Sequence, residues 1–218
     1  MFFVKYGKGR YLQDIIDGYI RFAPISMYRE WEQDAYSNGV ADPFDGMARS
    51  KVDILRFISS NEEKCLVGNI EINIDLEGME KLGVFCLSQY ESVIHMRNSC
   101  NKMLEMFPET THVLVIHSPN TFAKDIQTAL PRVAGGTVRY GDEMRPPQHA
   151  DDMWKQALYK RTRYAYQNEF RFIFTREEFN VPFSYRYENH SKMSLLNVDE
   201  IDLFIADSIG NDIGLRNR

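Results

Sequence analysis

Cysteine is scarce in this chain: its 218 residues hold three, Cys65, Cys86 and Cys100. None stands in a C-x-x-C pair, and an odd, sparse set argues against a disulfide framework and for structural thiols in a reducing compartment. Positive charge is not in excess, since the formal net charge is -5. A general nucleic-acid-binding coat is therefore not indicated, although a local basic patch remains open. No apolar run approaches a membrane span. The opening MFFVKYGKGR lacks a charged lead followed by an apolar run, so no signal peptide is expected. The P-loop spacing is missing around Gly7-Lys8-Gly9. His112 and His117 lie at no usual zinc spacing, so no metal site is expected. Repeats, low-complexity tracts and linkers are also absent.

What is present is a capacity for a core. Apolar residues make up 44% and aromatics 13%, enough for a globular domain rather than disorder. One domain over residues 1-218 is expected, cytoplasmic and without membrane contact. Strands are read at Phe2 to Tyr6, Tyr19 to Ala23, Val52 to Ile58, Leu66 to Ile74, Val84 to Ser88, His112 to His117, Thr137 to Tyr140, Phe183 to Tyr187 and Ile201 to Ala206. Helices are read at Tyr11 to Asp17, Ser26 to Tyr36, 92 to 106, Pro119 to Leu130 and Asp151 to Lys160. Residues 37-50 and 142-148 carry loop composition, and the first is expected to be mobile and to flank a site. Strands outnumber helices in irregular order, which favours an α+β fold over a doubly wound one.

The stretch from Lys160 to Phe174 concentrates the chemistry. Tyr166, Asn168, Phe170, Phe172 and Phe174 alternate with Gln167, Glu169, Arg171 and Ile173, so a strand is predicted with an aromatic core face. Its other face lines up Gln167, Glu169 and Arg171. That row is either a catalytic carboxylate with its neighbours or an ordinary solvated face with an ion pair. Lys155, Lys160, Arg161, Arg163 and Arg171 surround a single acid, Glu169, with tyrosines between them. Such a run suits a phosphate-bearing ligand or a nucleic-acid strand, or else a solvated helix end. Cys86, in an apolar strand, reads as a packed thiol.

Several short segments resemble a widespread family of bacterial and phage proteins of unknown function. They are Val4-Lys5-Tyr6, the helix Tyr11 to Asp17, Ile20 to Pro24, the acidic Asp42-Pro43-Phe44-Asp45, the strand Val84 to Ser88, Lys160 with Tyr166-x-x-Glu169-x-Arg171, and Val198-Asp199-Glu200-Ile201. The chain departs from that pattern after Ser88, where only His95-Met96 remains of an aromatic and histidine motif. A looser resemblance is to the ADP-ribosyltransferase superfamily, through Gln167-x-Glu169 and Phe22-Ala23-Pro24-Ile25-Ser26-Met27-Tyr28.

The second resemblance implies a split, mostly antiparallel sheet with flanking helices and an enzyme that takes NAD as substrate. Glu169 is then the catalytic acid and Gln167 orients the attacking group. Lys5 or Arg21 grips the pyrophosphate, Tyr6 or Tyr28 stacks on nicotinamide, and Ser88 bonds the ribose or supports Glu169. The acceptor is an unknown macromolecule, protein or nucleic acid, in the setting of a phage or bacterial defence effector or toxin. Two other readings stay open: a non-enzymatic binding or inhibitor protein, and a metal-dependent nuclease built on Asp42, Asp45 and Glu169.

Overall fold

The computed structural model describes residues 1-31, 42, 45, 47-59, 62-74, 76-142, 153-177 and 181-216. The expected loops at 37-50 and 142-148 fall mostly outside these residues.

The fold is built on β5 (Leu82–Tyr90). Its sequence LGVFCLSQY is apolar almost throughout, and every residue except Gln89 is buried, as a strand covered on both faces requires. β10 (Glu169–Thr175) pairs along its whole length with one edge of β5, antiparallel, with Ser88 opposite Glu169 and Leu82 opposite Thr175. β7 (Ala134–Thr137) then covers the far edge of β10.

The other edge of β5 is shared by two strands. β2 (Tyr19–Pro24) reaches it only at Val84 and Gly83. Pro24 ends that ladder, having no N–H to donate. β1 (Phe2–Gly7) reaches it only at Ser88, Gln89 and Tyr90. Between them, Phe85 to Leu87 have no partner strand on this edge among the described residues. The sheet is therefore split. One arm is β2 with β11 (Phe183–Arg186). The other is β1 with β6 (His112–Ile116) and β12 (Met193–Asn197). This eight-stranded sheet is antiparallel at every pairing.

Helices flank the sheet. α1 (Gly9–Ile16) joins β1 to β2 across the split and buries Leu12 and Ile15. Gly18 turns the chain back at φ 87, where a Cβ would stand 2.4 Å from the Tyr187 carbonyl oxygen, so only glycine fits. α3 (Val93–Met106) starts at Ser92, whose hydroxyl accepts from the His95 N–H. α4 (Pro119–Ala129) opens on proline, and α6 (Ile201–Arg216) closes the described chain. α2 (Ile25–Trp31) and α5 (Met153–Gln156) are shorter. β3 (Ala48–Ser59) and β4 (Glu62–Ile74) form a separate long hairpin. β8 (Arg139–Tyr140) and β9 (Tyr159–Lys160) form a small parallel pair.

Alternation along the strands divides the core. Phe3, Phe85, Leu87 and Phe172 meet Phe22, Leu12 and Phe122 on one side. Val84, Cys86 and Ile173 meet Ile25, Met79 and Ala157 on the other. Val4, Val113 and Val115 pack against α3 and α6 in a third cluster with Tyr90, Met96 and Ile205.

Several expectations change. The strand expected from Tyr166 begins at Glu169, because Thr162–Gln167 form a 3-10 turn. Asn168 follows at φ 45, a left-handed conformation that asparagine tolerates. Ile201 to Ala206 is helix, not strand. Asn197 and Glu200 form a capping box, and Ile201 and Ile205 bury one helical face. The helix expected over Asp151 to Lys160 shrinks to α5, and Lys160 lies in β9. The glycines at 135 and 136 belong to β7 itself, where a Cβ on Gly136 would come within 2.6 Å of Leu158. Among the described residues no helix is long and apolar enough to cross a membrane.

Candidate functional site

The split opens a cavity of about 600 Å³, within the usual range for small-molecule sites. Lys5, Tyr6, Arg21, Tyr28, Ser88, Gln167 and Glu169, the seven residues singled out from sequence, all line it. They come together because β1 and β2 diverge from β5 at this point, while β10 supplies Glu169 from the opposite edge.

Glu169 is the most constrained of them. It is only 7% exposed, so of the two readings of this row the solvated face does not hold. Its Oε2 accepts from Lys160 Nζ at 3.0 Å and from Arg171 at 3.0 Å. Its backbone N–H donates to the Tyr140 hydroxyl at 2.8 Å. Burial by itself would raise the pKa of this carboxyl, but Arg171 and Lys160 outweigh it and bring it down to about 2. Glu169 is therefore an anion at ordinary pH. It can accept hydrogen bonds and stabilise positive charge, but it is too weakly basic to take up a proton efficiently. The stability it contributes is complete above the carboxyl's ordinary pKa of 4.5 and fades as pH falls towards about 2.

Gln167 enters from the 3-10 turn rather than along the strand. Lys160 Nζ donates to its Oε1 at 2.6 Å, so one ammonium holds both the amide and the carboxylate. Lys160 itself is 1% exposed.

Arg171, 0% exposed, is the second cation on Glu169. It binds both oxygens of Asp45 at 2.7 Å and the Ala157 carbonyl at 2.6 Å. Asp42, equally buried, accepts from the Arg161 side chain at 2.8 Å and from its backbone N–H at 3.1 Å. The two acids of the tetrapeptide thus answer the buried Arg171 and the part-buried Arg161, and three cations of the basic run, Lys160, Arg161 and Arg171, are engaged inside the molecule. Lys160, Arg161 and Arg171 are not a free cationic surface. Among the described residues no group of His, Cys, Asp and Glu is placed to hold a metal ion.

Lys5 fills the notch from the β1 side. Its ammonium donates to the Cys86 carbonyl at 2.6 Å and lies 5.3 Å from the Phe85 ring centroid. Cys86 is the residue whose backbone edge β1 and β2 leave open, and Lys5 supplies the missing bond. Burial lowers the Lys5 pKa, against the opposing pull of Cys86 and Glu169. The Tyr6 hydroxyl pairs with that of Tyr90 at 3.3 Å, and burial raises its pKa. The Tyr28 hydroxyl receives the Cys86 thiol at 3.8 Å. Ser88 is buried opposite Glu169 in the ladder. Arg21 stands apart: it is exposed on β2, lines the cavity, and forms no ion pair among the described residues.

Sequence reasoning gave no site role to Lys160 or Asp45 by themselves. Lys160 was legible only as part of a basic run and of the signature ending in Glu169-x-Arg171, and Asp45 meets its arginine 126 residues away.

No protein-family model matches the chain, and no curated protein or solved structure matches it either.

Proposed function

We propose that the chain is an NAD-dependent ADP-ribosyltransferase-like enzyme acting on a macromolecular acceptor. The observation that supports this most is the convergence of a buried carboxylate, an amide, a hydroxyl, tyrosines and cations on one cavity at the split of the sheet. In the reaction the bond between nicotinamide and its ribose breaks, and its electron pair leaves with nicotinamide. The ribose becomes oxocarbenium-like. An acceptor heteroatom then attacks the anomeric carbon and releases its proton to solvent. A carboxylate held ionised at ordinary pH suits the first step, because a contact with the ribose 2′-hydroxyl strengthens as positive charge grows. Gln167 orients the attacking group, Ser88 holds the ribose or Glu169, and Tyr6 or Tyr28 offers a ring to nicotinamide. Arg21, exposed at the cavity, is better suited than the engaged Lys5 to grip the pyrophosphate.

One observation favours a second reading, a ligand-holding cleft that does no chemistry. The two cations on Oε2 offset the negative charge that would stabilise the oxocarbenium ion.

Labelled NAD separates the two. Purified protein incubated with it, with and without cell extract, is expected to release nicotinamide and to leave label on a macromolecule. Saturable NAD binding with no nicotinamide release would favour the second reading, and no binding at all would sink both in their NAD form.

A further inference from the structure

We infer that Lys160 is a positioning residue of this cleft, holding the Gln167 amide and the Glu169 carboxylate together at one point of the cavity wall. The inference rests on the cleft being the working site, as proposed above.

The geometry is specific. Lys160 has three ammonium protons, and two go to Gln167 Oε1 at 2.6 Å and Glu169 Oε2 at 3.0 Å. The ammonium also lies 5.1 Å from the centroid of the Tyr164 ring, within cation–π range. The strand that carries it has a partner with a matching task. In the parallel β8–β9 pair, Tyr140 lies opposite Lys160. Tyr140 accepts the backbone N–H of Glu169, while Lys160 donates to its side chain. The Gly141 N–H closes the pair by donating to the Lys160 carbonyl at 2.9 Å. This short pair therefore fixes one residue, Glu169, at both main chain and side chain. Arg161, next in the chain, ties the segment to Asp42.

Stability alone does not call for such an arrangement. A buried ion pair loses hydration on both partners, and an apolar replacement is commonly neutral or stabilising. Holding a ligating group through a hydrogen-bonded neighbour is how sites fix orientation.

The test reads Glu169 directly. The groups facing it are Lys160 from β9, Arg171 from β10, Cys86 from β5, Lys5 from β1, Tyr140 from β8 and Tyr28 from α2. The Glu169 carboxyl is followed by carbon-13 NMR as pH is lowered, in wild type and in Lys160→Met. Lys160→Gln, which can still bond Gln167, serves should the apolar variant fail to fold, and Lys160→Arg restores the charge. In wild type Glu169 is expected to stay ionised down to the acid limit of the fold. In the neutral variants its midpoint is expected to rise by about one unit or more, and Lys160→Arg should reverse most of that rise. Where NAD is turned over, kcat of the neutral variants is expected to fall about tenfold or more, with KM nearly unchanged. A Glu169 midpoint that does not move overturns the inference. A midpoint that moves in a protein that never turns over NAD upholds the positioning role and removes the NAD reading.

Discussion

Glu169→Gln is expected to lower ADP-ribose transfer from NAD by on the order of a hundredfold or more, with much less effect on NAD affinity. The substitution keeps the shape of the side chain and removes its charge. A contact that strengthens only as the ribose turns oxocarbenium-like contributes mainly in the transition state, so its loss falls on kcat. Burial adds a second consequence. A surface carboxylate could be neutralised at little cost, but Glu169 answers Lys160 and Arg171 inside the protein. Leaving those cations short of a counter-charge should cost about 3 kcal/mol of stability, the low end for a broken buried pair, since Arg171 keeps Asp45. Turnover must therefore be compared per folded molecule, below the melting transition of the variant. If Glu169 only pairs with its cations, the variant melts earlier while each folded molecule keeps full turnover.

The second large effect belongs to Asp45. Arg171 is fully buried and donates two hydrogen bonds to one carboxylate. Breaking such a pair from one side typically costs about 3–5 kcal/mol, because the remaining charge is left uncompensated. Asp45→Asn is expected to lie in that range by urea unfolding. Asp42→Asn should cost less, since the Arg161 side chain is 18% exposed and water can take over part of its bonding. The order matters more than the values. Equal small losses, each below about 0.5 kcal/mol, would mean that the acidic segment is not tied into the site as described.

Local chemistry made much of the fold legible. The middle of β5 declared itself as an apolar run, Val84 to Leu87, and α4 by the proline at its first position. The failures share a cause. Ile201 to Ala206 is apolar enough for a strand, and only the capping box at Asn197 and Glu200 tips it to a helix. β12 is a sheet edge whose short sequence, MSLLN, shows little alternation. Residues 166 to 168 looked like strand because aromatics alternate there, but the 3-10 turn and the left-handed Asn168 interrupt the pleat.

The candidate site divides in the same way. Its residue types could be read from strand ends, and all seven residues line the cavity. The environment of Glu169 could not be read. The groups that cover it include Tyr140 of β8, Lys160 of β9, Cys86 of β5 and Tyr28 of α2, none of which is next to it in the chain. Alternation alone therefore left a water-exposed face as one reading of a row that the fold has buried. For Lys160 the clue was its nearness to Glu169, nine residues on. Nothing in the sequence told whether those nine residues turn back or run on.

A crystal structure with a carbocyclic NAD analogue, which cannot lose nicotinamide, tests the proposed site most directly. The analogue is expected in the split between β1 and β2. Its nicotinamide-side 2′-hydroxyl should lie within about 2.6–3.2 Å of the Glu169 carboxylate, with the pyrophosphate against Arg21. An analogue bound elsewhere, or a split left unchanged at millimolar analogue, would contradict the assignment of this cavity to NAD.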